Sequence, residues 1–207
     1  MNILRQWINE KYLDEEKLSD LQWKFVEGRP FENIFLDDFL NEEKANILRE
    51  ALLGDEFIHK ESDLFSFSQT TDLEKSKSEI LKSFYLFVSS REFAEFIKML
   101  TGVHVRAGAL DLAGSLYKSG DYLLCHDDKL EDRKVAYILY LSVNFEEEDG
   151  GSFVLIENEN GKPSKEGKKI IPRWNRFMVF KVSDVSFHAV EENLSDKERL
   201  AIGGWLH

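Results

Sequence analysis

The chain has 207 residues, and 27 Lys and Arg against 39 Asp and Glu give it a formal net charge of −12 at pH 7. This length suits one domain, or a core domain with an appendage, and the 43% hydrophobic residues exclude wholesale disorder. The longest apolar run, residues 135–141, is too short to cross a membrane, and the N-terminus lacks the apolar stretch of a secretory signal. The acidic balance disfavours a broad nucleic-acid surface. The single cysteine, Cys125, cannot form an internal disulfide, so we expect a reducing compartment, cytoplasmic or, in a eukaryote, nuclear.

Helices are predicted in the first hundred residues. Residues 1–28 are expected to form an N-terminal helical segment that precedes the main domain, residues 29–207. A helix should begin at Asn41, since the two glutamates that follow suit the positive end of the helix dipole, and it should end at Gly54. Further helices are predicted at residues 77–88 and at residues 91–101, the latter ending at Gly102. The face predicted to be buried in the helix after Asn41 consists of Ile47, Leu48, Ala51 and Leu52.

Short apolar segments alternate with turn residues from about residue 103 onwards. Eight strand-sized segments within about a hundred residues leave no room for intervening helices, which indicates antiparallel β-structure. A double-sheet jelly roll, also called a double-stranded β-helix, would protect the strand edges. The expected fold is therefore mainly β with flanking helices (α+β), and the N-terminal helices pack on one sheet. The predicted strands span residues 110–117, 122–126, 134–142, 153–157, 169–171, 177–182, 186–190 and 199–206.

A metal site is indicated by His126, Asp128 and His188. The first two are two residues apart at the end of a predicted strand, so their side chains point to one face, and His188 lies in another strand. Two imidazoles and one carboxylate form a facial triad, which leaves open positions on a six-coordinate Fe(II). A closed zinc site would usually recruit a thiol, but Cys125 points to the other face of the strand.

Arg199 makes this pattern more specific. A His-x-Asp triplet alone is common by chance, and His188 alone also fits a buried structural histidine. Arg199 opens the last predicted strand, 11 residues after His188. A guanidinium at that position can bind a dicarboxylate through paired charge-assisted hydrogen bonds. The order His-x-Asp, distant His, then Arg on the final strand is much more specific for this kind of site than any one of these residues alone.

Several segments from about residue 30 to the end resemble a known family, the Fe(II)- and 2-oxoglutarate-dependent oxygenases. The similarity is strongest to the prolyl hydroxylase branch, and within it to the catalytic domain of the ribosomal prolyl hydroxylases. Leu124-Cys-His-Asp-Asp128 and Val185-Ser-Phe-His188 are typical of this branch, whereas Gly150-Gly151 and the triad are general to the superfamily. The segments are Ser62-Asp-Leu-Phe-Ser-Phe-Ser-Gln-Thr-Thr-Asp-Leu73, Leu124-Cys-His-Asp-Asp128, Ile171-Pro-Arg-Trp-Asn175 and Val182-Ser-Asp-Val-Ser-Phe-His188.

The resemblance implies a set of functional residues. His126, Asp128 and His188 are expected to be the iron ligands and the catalytic residues. Arg199, Tyr140 and Tyr117 are expected to bind the cosubstrate 2-oxoglutarate, and Trp205 is expected to line the site. Ordinary packing is the alternative for Tyr140, Tyr117 and Trp205, and for the last two it is at least an equal one. The implied cofactors are Fe(II) with 2-oxoglutarate and O2 as cosubstrates, and ascorbate would support turnover.

The function implied is hydroxylation of a prolyl residue in a protein substrate, with a loop of a ribosomal protein as the expected partner. No direct nucleic-acid or membrane partner is expected, and the oligomeric state is left open. In the eukaryotic ribosomal enzymes a second, non-catalytic jelly roll follows the catalytic one, so we expect this sequence to be either a single-domain relative or an excised catalytic domain. One alternative is an oxygenase of a free amino acid or small metabolite, and another is a non-catalytic jelly-roll binding module. Nucleic-acid demethylation is weaker, because no basic, aromatic-interleaved patch is present.

Overall fold

The structure is a computed structural model that describes residues 3–130 and 132–207. The five α-helices of the described residues lie before residue 102 with three strands among them, and the other eight strands follow. The helices are α1 (Ile3–Trp7), α2 (Glu15–Val26), α3 (Glu42–Leu53), α4 (Glu79–Val88) and α5 (Arg91–Thr101). The strands are β1 (Asn33–Leu36), β2 (Ile58–Ser62), β3 (Phe65–Gln69), β4 (Leu110–Tyr117), β5 (Tyr122–His126), β6 (Val135–Tyr140), β7 (Phe153–Glu159), β8 (Lys162–Ile170), β9 (Arg176–Lys181), β10 (His188–Val190) and β11 (Arg199–Leu206).

The strands form the predicted double-stranded β-helix. One sheet has the order β1-β9-β6-β11-β4, and the facing sheet has the order β5-β10-β7-β8, all antiparallel. β3 hydrogen-bonds with both β4 and β5 and so joins the two sheets, while β2 pairs only with β3. The fold class predicted from the sequence is confirmed.

Alternation along β11 separates two apolar layers. Leu200 and Ile202 pack into the core between the first sheet and the helices, whereas Ala201 faces the space between the sheets. The same alternation holds in β9, where Phe177 faces the helices and Phe180 faces the interior. Since neighbouring side chains on a strand point to opposite faces, each strand of this sheet contributes to both layers. The helices therefore cover one sheet, as expected.

The predicted helices are present, with one error in the buried face of α3. α5 has the predicted bounds: the Ser90 hydroxyl accepts a hydrogen bond from the Phe93 amide at 3.1 Å, and Gly102 ends the helix with φ 75°. In α3, however, Ile47 is 37% exposed and Ala45 is fully buried in its place. α3 packs against α4, and its buried residues Ala45, Leu48 and Leu52 are three and four positions apart. They form a narrower stripe than predicted, and Ile47 lies outside it.

The N-terminal helices belong to the same apolar core. Leu4 and Trp7 of α1 and Phe25 of α2 are buried in the cluster formed by the other helices and the first sheet. The Trp7 ring stacks on Phe87 at 5.5 Å and meets Phe84 edge-on at 5.2 Å. A domain boundary between residues 28 and 29 stays a prediction. None of the described helices has the length and apolar composition needed to span a bilayer.

Candidate active site

Two adjacent strands of the facing sheet, β5 and β10, bring His126, Asp128 and His188 together. His126 ends β5 and His188 begins β10, and these two residues are direct partners in the register of the two strands. Asp128 has φ 60°, a left-handed conformation that Asp tolerates better than most residues. The Nε2 atoms of His126 and His188 lie 3.4 and 3.2 Å from the two carboxylate oxygens of Asp128.

These distances fit a shared metal ion. Two atoms that are each about 2.1 Å from one ion lie at most about 4.2 Å apart. All three ligand atoms lie within 4.8 Å of one another, and the two Asp128 distances fall well inside this limit. Two neutral imidazoles and one carboxylate on one side of an ion are the donor set of the open ferrous site described above.

The backbone sets the tautomer of both histidines. The Nδ1 atom of His126 lies 2.9 Å from the Leu124 carbonyl oxygen, and that of His188 lies 2.8 Å from the Ser186 carbonyl oxygen. A carbonyl oxygen can only accept, so each Nδ1 carries the proton and donates it. In the neutral rings, both Nε2 lone pairs therefore point towards Asp128 and are free to bind a metal.

The electrostatics of the triad keep a negative charge on the carboxylate. Burial of Asp128 opposes its ionisation, but hydrogen bonds and charge from His126 and His188 outweigh burial and lower its pKa well below the usual range. Burial would lower the pKa of His126, but the hydrogen bond that its ring donates to Asp128, the negative charge of Asp128 and the hydrogen bond to the Leu124 carbonyl raise it. A divalent cation would replace the protons that the carboxylate now attracts.

The two imidazoles differ in their access to solvent. His188 keeps 3% of its side chain exposed, and the rings of Phe153 and Phe180 lie 5.0 and 4.8 Å from it. His126 keeps 31% of its side chain exposed. The site is thus closed by aromatic packing behind His188 and opens to solvent on the side of His126.

Arg199 is a buried cation beside the triad. It is 2% exposed, and its Nε donates to the Gly151 carbonyl oxygen at 2.7 Å. Its guanidinium carbon lies 4.7 Å from the ring centre of Tyr117 and 5.2 Å from that of Tyr140. No carboxylate forms an ion pair with Arg199 in the described residues. A buried charge without a counter-charge is costly, so this position is suited to an anionic ligand.

Tyr140 and Tyr117 stay neutral next to this cation. Burial raises the pKa of Tyr140 to about 12, against the opposing charge of Arg199, and burial likewise raises the pKa of Tyr117. The Tyr140 hydroxyl is buried and has no hydrogen-bonding partner among the described residues. A buried orphan donor beside an unpaired guanidinium is a fitting receptor for a carboxylate.

The Gly150-Gly151 turn positions the Arg199 side chain. Both glycines have positive φ, 70° and 61°. A Cβ on Gly150 would collide with the Glu192 carbonyl oxygen, and one on Gly151 would lie 3.3 Å from the Cδ of Arg199. The turn therefore needs glycine for its backbone conformation and for the close approach of neighbouring atoms.

A cavity of about 430 Å³ contains the triad and Arg199. Tyr117 and Trp205 line this cavity, whereas Tyr140 is next to Arg199, which lines it, but is not itself among the lining residues. The β2–β3 hairpin contributes Lys60, Phe67 and Gln69 to the wall. The structure thus places every predicted site residue in or directly beside one cavity.

Sequence reasoning did not single out Arg133 or Phe67. The guanidinium carbon of Arg133 lies 3.4 Å from the ring centre of Trp205, and its nitrogen atoms lie 4.0 Å from carboxylate oxygens of Asp128 and Asp111. Phe67 stacks on Tyr117 at 5.0 Å. Arg133 follows the triad in a loop and shows no strand periodicity. Phe67 lies inside the quoted segment Ser62 to Leu73, but in a strand that was not predicted, so no local pattern marked either residue.

Residues 112–207 match the family model described as "2OG-Fe(II) oxygenase superfamily". This range includes the triad, Arg199, Tyr117 and Tyr140. The chain therefore contains an oxygenase domain of this family, whose members use Fe(II), 2-oxoglutarate and O2.

Curated relatives within this family are named as prolyl hydroxylases. "Prolyl 3-hydroxylase OGFOD1" of Xenopus laevis is 41% identical over 172 residues, which are 82% of this chain and 32% of that protein. "Prolyl 3,4-dihydroxylase OGFOD1" of Ostreococcus tauri is 35% identical over 193 residues, 86% of this chain and 37% of that protein. The chain spans about a third of the length of the curated relatives that it matches.

Solved structures share the fold. A Pseudomonas putida prolyl-4-hydroxylase superposes with a TM-score of 0.70 at 18% identity, covering 92% of this chain and 98% of that chain. A Trichoplax adhaerens prolyl hydroxylase, solved with a peptide fragment of hypoxia inducible factor, gives 0.72 at 18% identity and covers 96% and 92%. At these identities the likeness supports the double-stranded β-helix fold.

Proposed function

We propose that this chain hydroxylates a prolyl residue of a protein substrate in a reaction that consumes 2-oxoglutarate and O2. The observation that carries the proposal is the pairing, in one cavity, of the His126, Asp128 and His188 triad with the unpaired cation Arg199. The names of the curated relatives favour carbon 3 of the proline ring. A loop of a ribosomal protein is the target that the motifs of the sequence favour.

In this proposal, His126, Asp128 and His188 hold Fe(II). The bound ion supplies the oxidising chemistry that a C–H bond requires and that no side chain provides. The Leu124 and Ser186 carbonyls accept the Nδ1 protons of the two neutral imidazoles, so both Nε2 atoms are aimed inwards with their lone pairs available to the ion. Asp128 supplies one negative charge, and three protein ligands leave the remaining positions for the two cosubstrates.

Arg199 and Tyr140 bind the distal carboxylate of 2-oxoglutarate. The guanidinium provides the charge, and the neutral Tyr140 hydroxyl donates the hydrogen bond for which it now lacks an acceptor. Tyr117 lies under the guanidinium and fixes its plane. Because the hydrogen bond from Arg199 to Gly151 already orders the side chain, little side-chain entropy is lost on binding.

The shape of the site favours a peptide over a free amino acid. The cavity extends from Arg199 to Lys60 and Gln69 on the β2–β3 hairpin, and the triad opens to solvent at His126. A prolyl side chain in a loop can approach from this side while its flanking residues stay outside. A cytoplasmic location, with a nuclear one in a eukaryote, is part of the proposal, as is the lack of direct nucleic-acid and membrane partners.

The test is incubation of the protein with Fe(II), 2-oxoglutarate and candidate ribosomal peptides, followed by mass spectrometry and succinate measurement. We expect peptide gaining one oxygen atom on proline, with matching succinate. His188→Ala should abolish both signals, while the exposed and distant His104→Ala should retain them. Succinate without modified peptide would instead support the small-metabolite oxygenase. Iron binding with neither product would support the non-catalytic module.

A further inference from the structure

A second cleft, of about 730 Å³, lies between α2, β1 and β8. It shares no lining residue with the cavity of the triad. Lys17, Leu21 and Lys24 project from one face of α2, and Lys168 of β8 lines the same cleft. Since seven helical residues span about 10 Å, the two lysines of α2 mark the length of an elongated site.

Positive charges converge on the aromatic rings of this cleft. The Nζ atoms of Lys11 and Lys17 lie 5.0 and 5.6 Å from the ring centre of Tyr12. The two ammonium groups thus lie beside one ring, although the chain as a whole carries a net charge of −12. This end of the cleft is therefore locally positive in an acidic protein.

The other end of the cleft repeats this arrangement at Phe35. The Nζ of Lys168 lies 5.0 Å and the guanidinium carbon of Arg176 lies 4.3 Å from the centre of the Phe35 ring. Burial and the charge of Arg176 together lower the pKa of Lys168. An anion placed here would relieve this repulsion.

Counter-charges are present for only some of these cations. Lys11 pairs with Asp38 at 3.0 Å, and Arg176 binds Asp37 through two nitrogen atoms. Lys17, Lys24 and Lys168 form no ion pair in the residues that the structure describes. Glu27 and Asp37 also line the cleft, but Glu27 pairs with Arg29 at 3.5 Å and Asp37 pairs with Arg176. Among the described lining residues, three ammonium groups therefore remain without a carboxylate partner.

The outer edge of β1 leaves the backbone of one residue, Phe35, available beside the same cleft. β1 is the terminal strand of its sheet and pairs only with β9. The Lys181 amide donates to the Glu32 carbonyl at 3.0 Å, and in an antiparallel pair every second residue bonds to the partner strand. The N–H and C=O of Phe35, three residues after Glu32, therefore point away from β9. Gly28 lies against the backbone of Asn33, which leaves Phe35 as the accessible position.

We propose that this cleft binds an extended, carboxylate-rich peptide segment, which adds to the open edge of β1 and places its acidic side chains beside Lys17, Lys24 and Lys168. Strand addition supplies main-chain hydrogen bonds, and the lysines select the charge. A peptide backbone can both accept from and donate to Phe35, whereas a phosphodiester can only accept. A nucleic acid would also lack a stacking surface, because cations lie over both Tyr12 and Phe35.

The test measures fluorescence anisotropy of a short labelled peptide of alternating Glu and Val against the full chain and its variants. Lys168→Glu and Lys17→Glu should each weaken binding by about tenfold or more, since a charge-assisted contact becomes a repulsion. Lys162→Glu makes the same charge change on the same strand but outside the cleft, and it should alter binding less than about twofold. Circular dichroism would check that each variant is folded.

A second peptide, N-methylated at alternate residues, keeps its charges but cannot complete the strand, and it should bind much more weakly. Equal losses in Lys162→Glu and Lys168→Glu, or equal binding of the methylated peptide, would overturn the proposal. So would tighter binding of single-stranded RNA or inorganic polyphosphate than of the acidic peptide. The hydroxylation assay uses the other cavity, so either proposal can fail while the other stands.

Discussion

Tyr140→Phe tests the proposed cosubstrate site with opposite effects on binding and on stability. In the absence of ligand, the Tyr140 hydroxyl is buried without a partner, so its removal should leave the free energy of unfolding unchanged or raise it by about 1 kcal/mol. With 2-oxoglutarate bound, the same hydroxyl would donate to a carboxylate, a contact worth about 1.5–3 kcal/mol. Affinity should therefore fall by about 10- to 150-fold.

The assay is isothermal titration of 2-oxoglutarate into the metal-loaded protein, together with thermal unfolding with and without the ligand. Tyr137→Phe is the matched control, because it lies on the same strand and its hydroxyl already donates to the Asp111 carbonyl at 3.1 Å. That variant should lose about 1 kcal/mol of stability and keep its affinity. Unchanged affinity in Tyr140→Phe would refute the placement of the carboxylate at Arg199.

Four further outcomes are expected. Asp128→Ala should abolish iron binding and turnover, whereas Asp127→Asn, in the adjacent half-buried position, should keep both; turnover by Asp128→Ala would show that Asp128 is not a ligand. Arg199→Ala should raise the KM for 2-oxoglutarate by about a hundredfold or more, since a charged contact is lost, with little change in iron affinity by titration. Gly150→Ala should lower the free energy of unfolding by about 2 kcal/mol or more in chemical denaturation, because of its φ of 70° and a backbone clash. The pKa of His126 is raised in the metal-free protein, so a larger fraction of the ring is protonated near neutral pH and Fe(II) affinity should increase as pH rises through this range; a flat profile would contradict the tautomer assignment.

Local signals in the sequence located the strands that hold the site. β4, β5 and β11 have the predicted bounds, because turn residues separate them and apolar residues alternate within them. The two-residue spacing of His126 and Asp128 placed both on one side of the chain, and the triad could be proposed without knowing the sheet order.

Other parts depend on tertiary contacts that no local pattern reveals. β8 extends over Lys162–Ile170, although only residues 169–171 were predicted, because its exposed lysines show no apolar alternation and its partner β7 stabilises it. β2 and β3 were not predicted for the same reason, since both are exposed or half-buried along their whole length and show no buried face. The unpartnered hydroxyl of Tyr140 and the stacking of Arg133 on Trp205 are properties of three-dimensional packing alone.

The position of β11 affects the order in which the domain can assemble. β11 is the latest described strand in the chain, yet it lies between two earlier ones, β4 and β6, and forms full ladders with both. Until residues 199–206 have been synthesised, β4 and β6 each expose an unpaired edge and the sheet has a gap at its centre. Such pairing across long sequence separations is slow, so a nascent chain lacking these residues should depend on chaperones. Arg199 is the first residue of this strand, and the same late event that closes the sheet also completes the cationic end of the cavity.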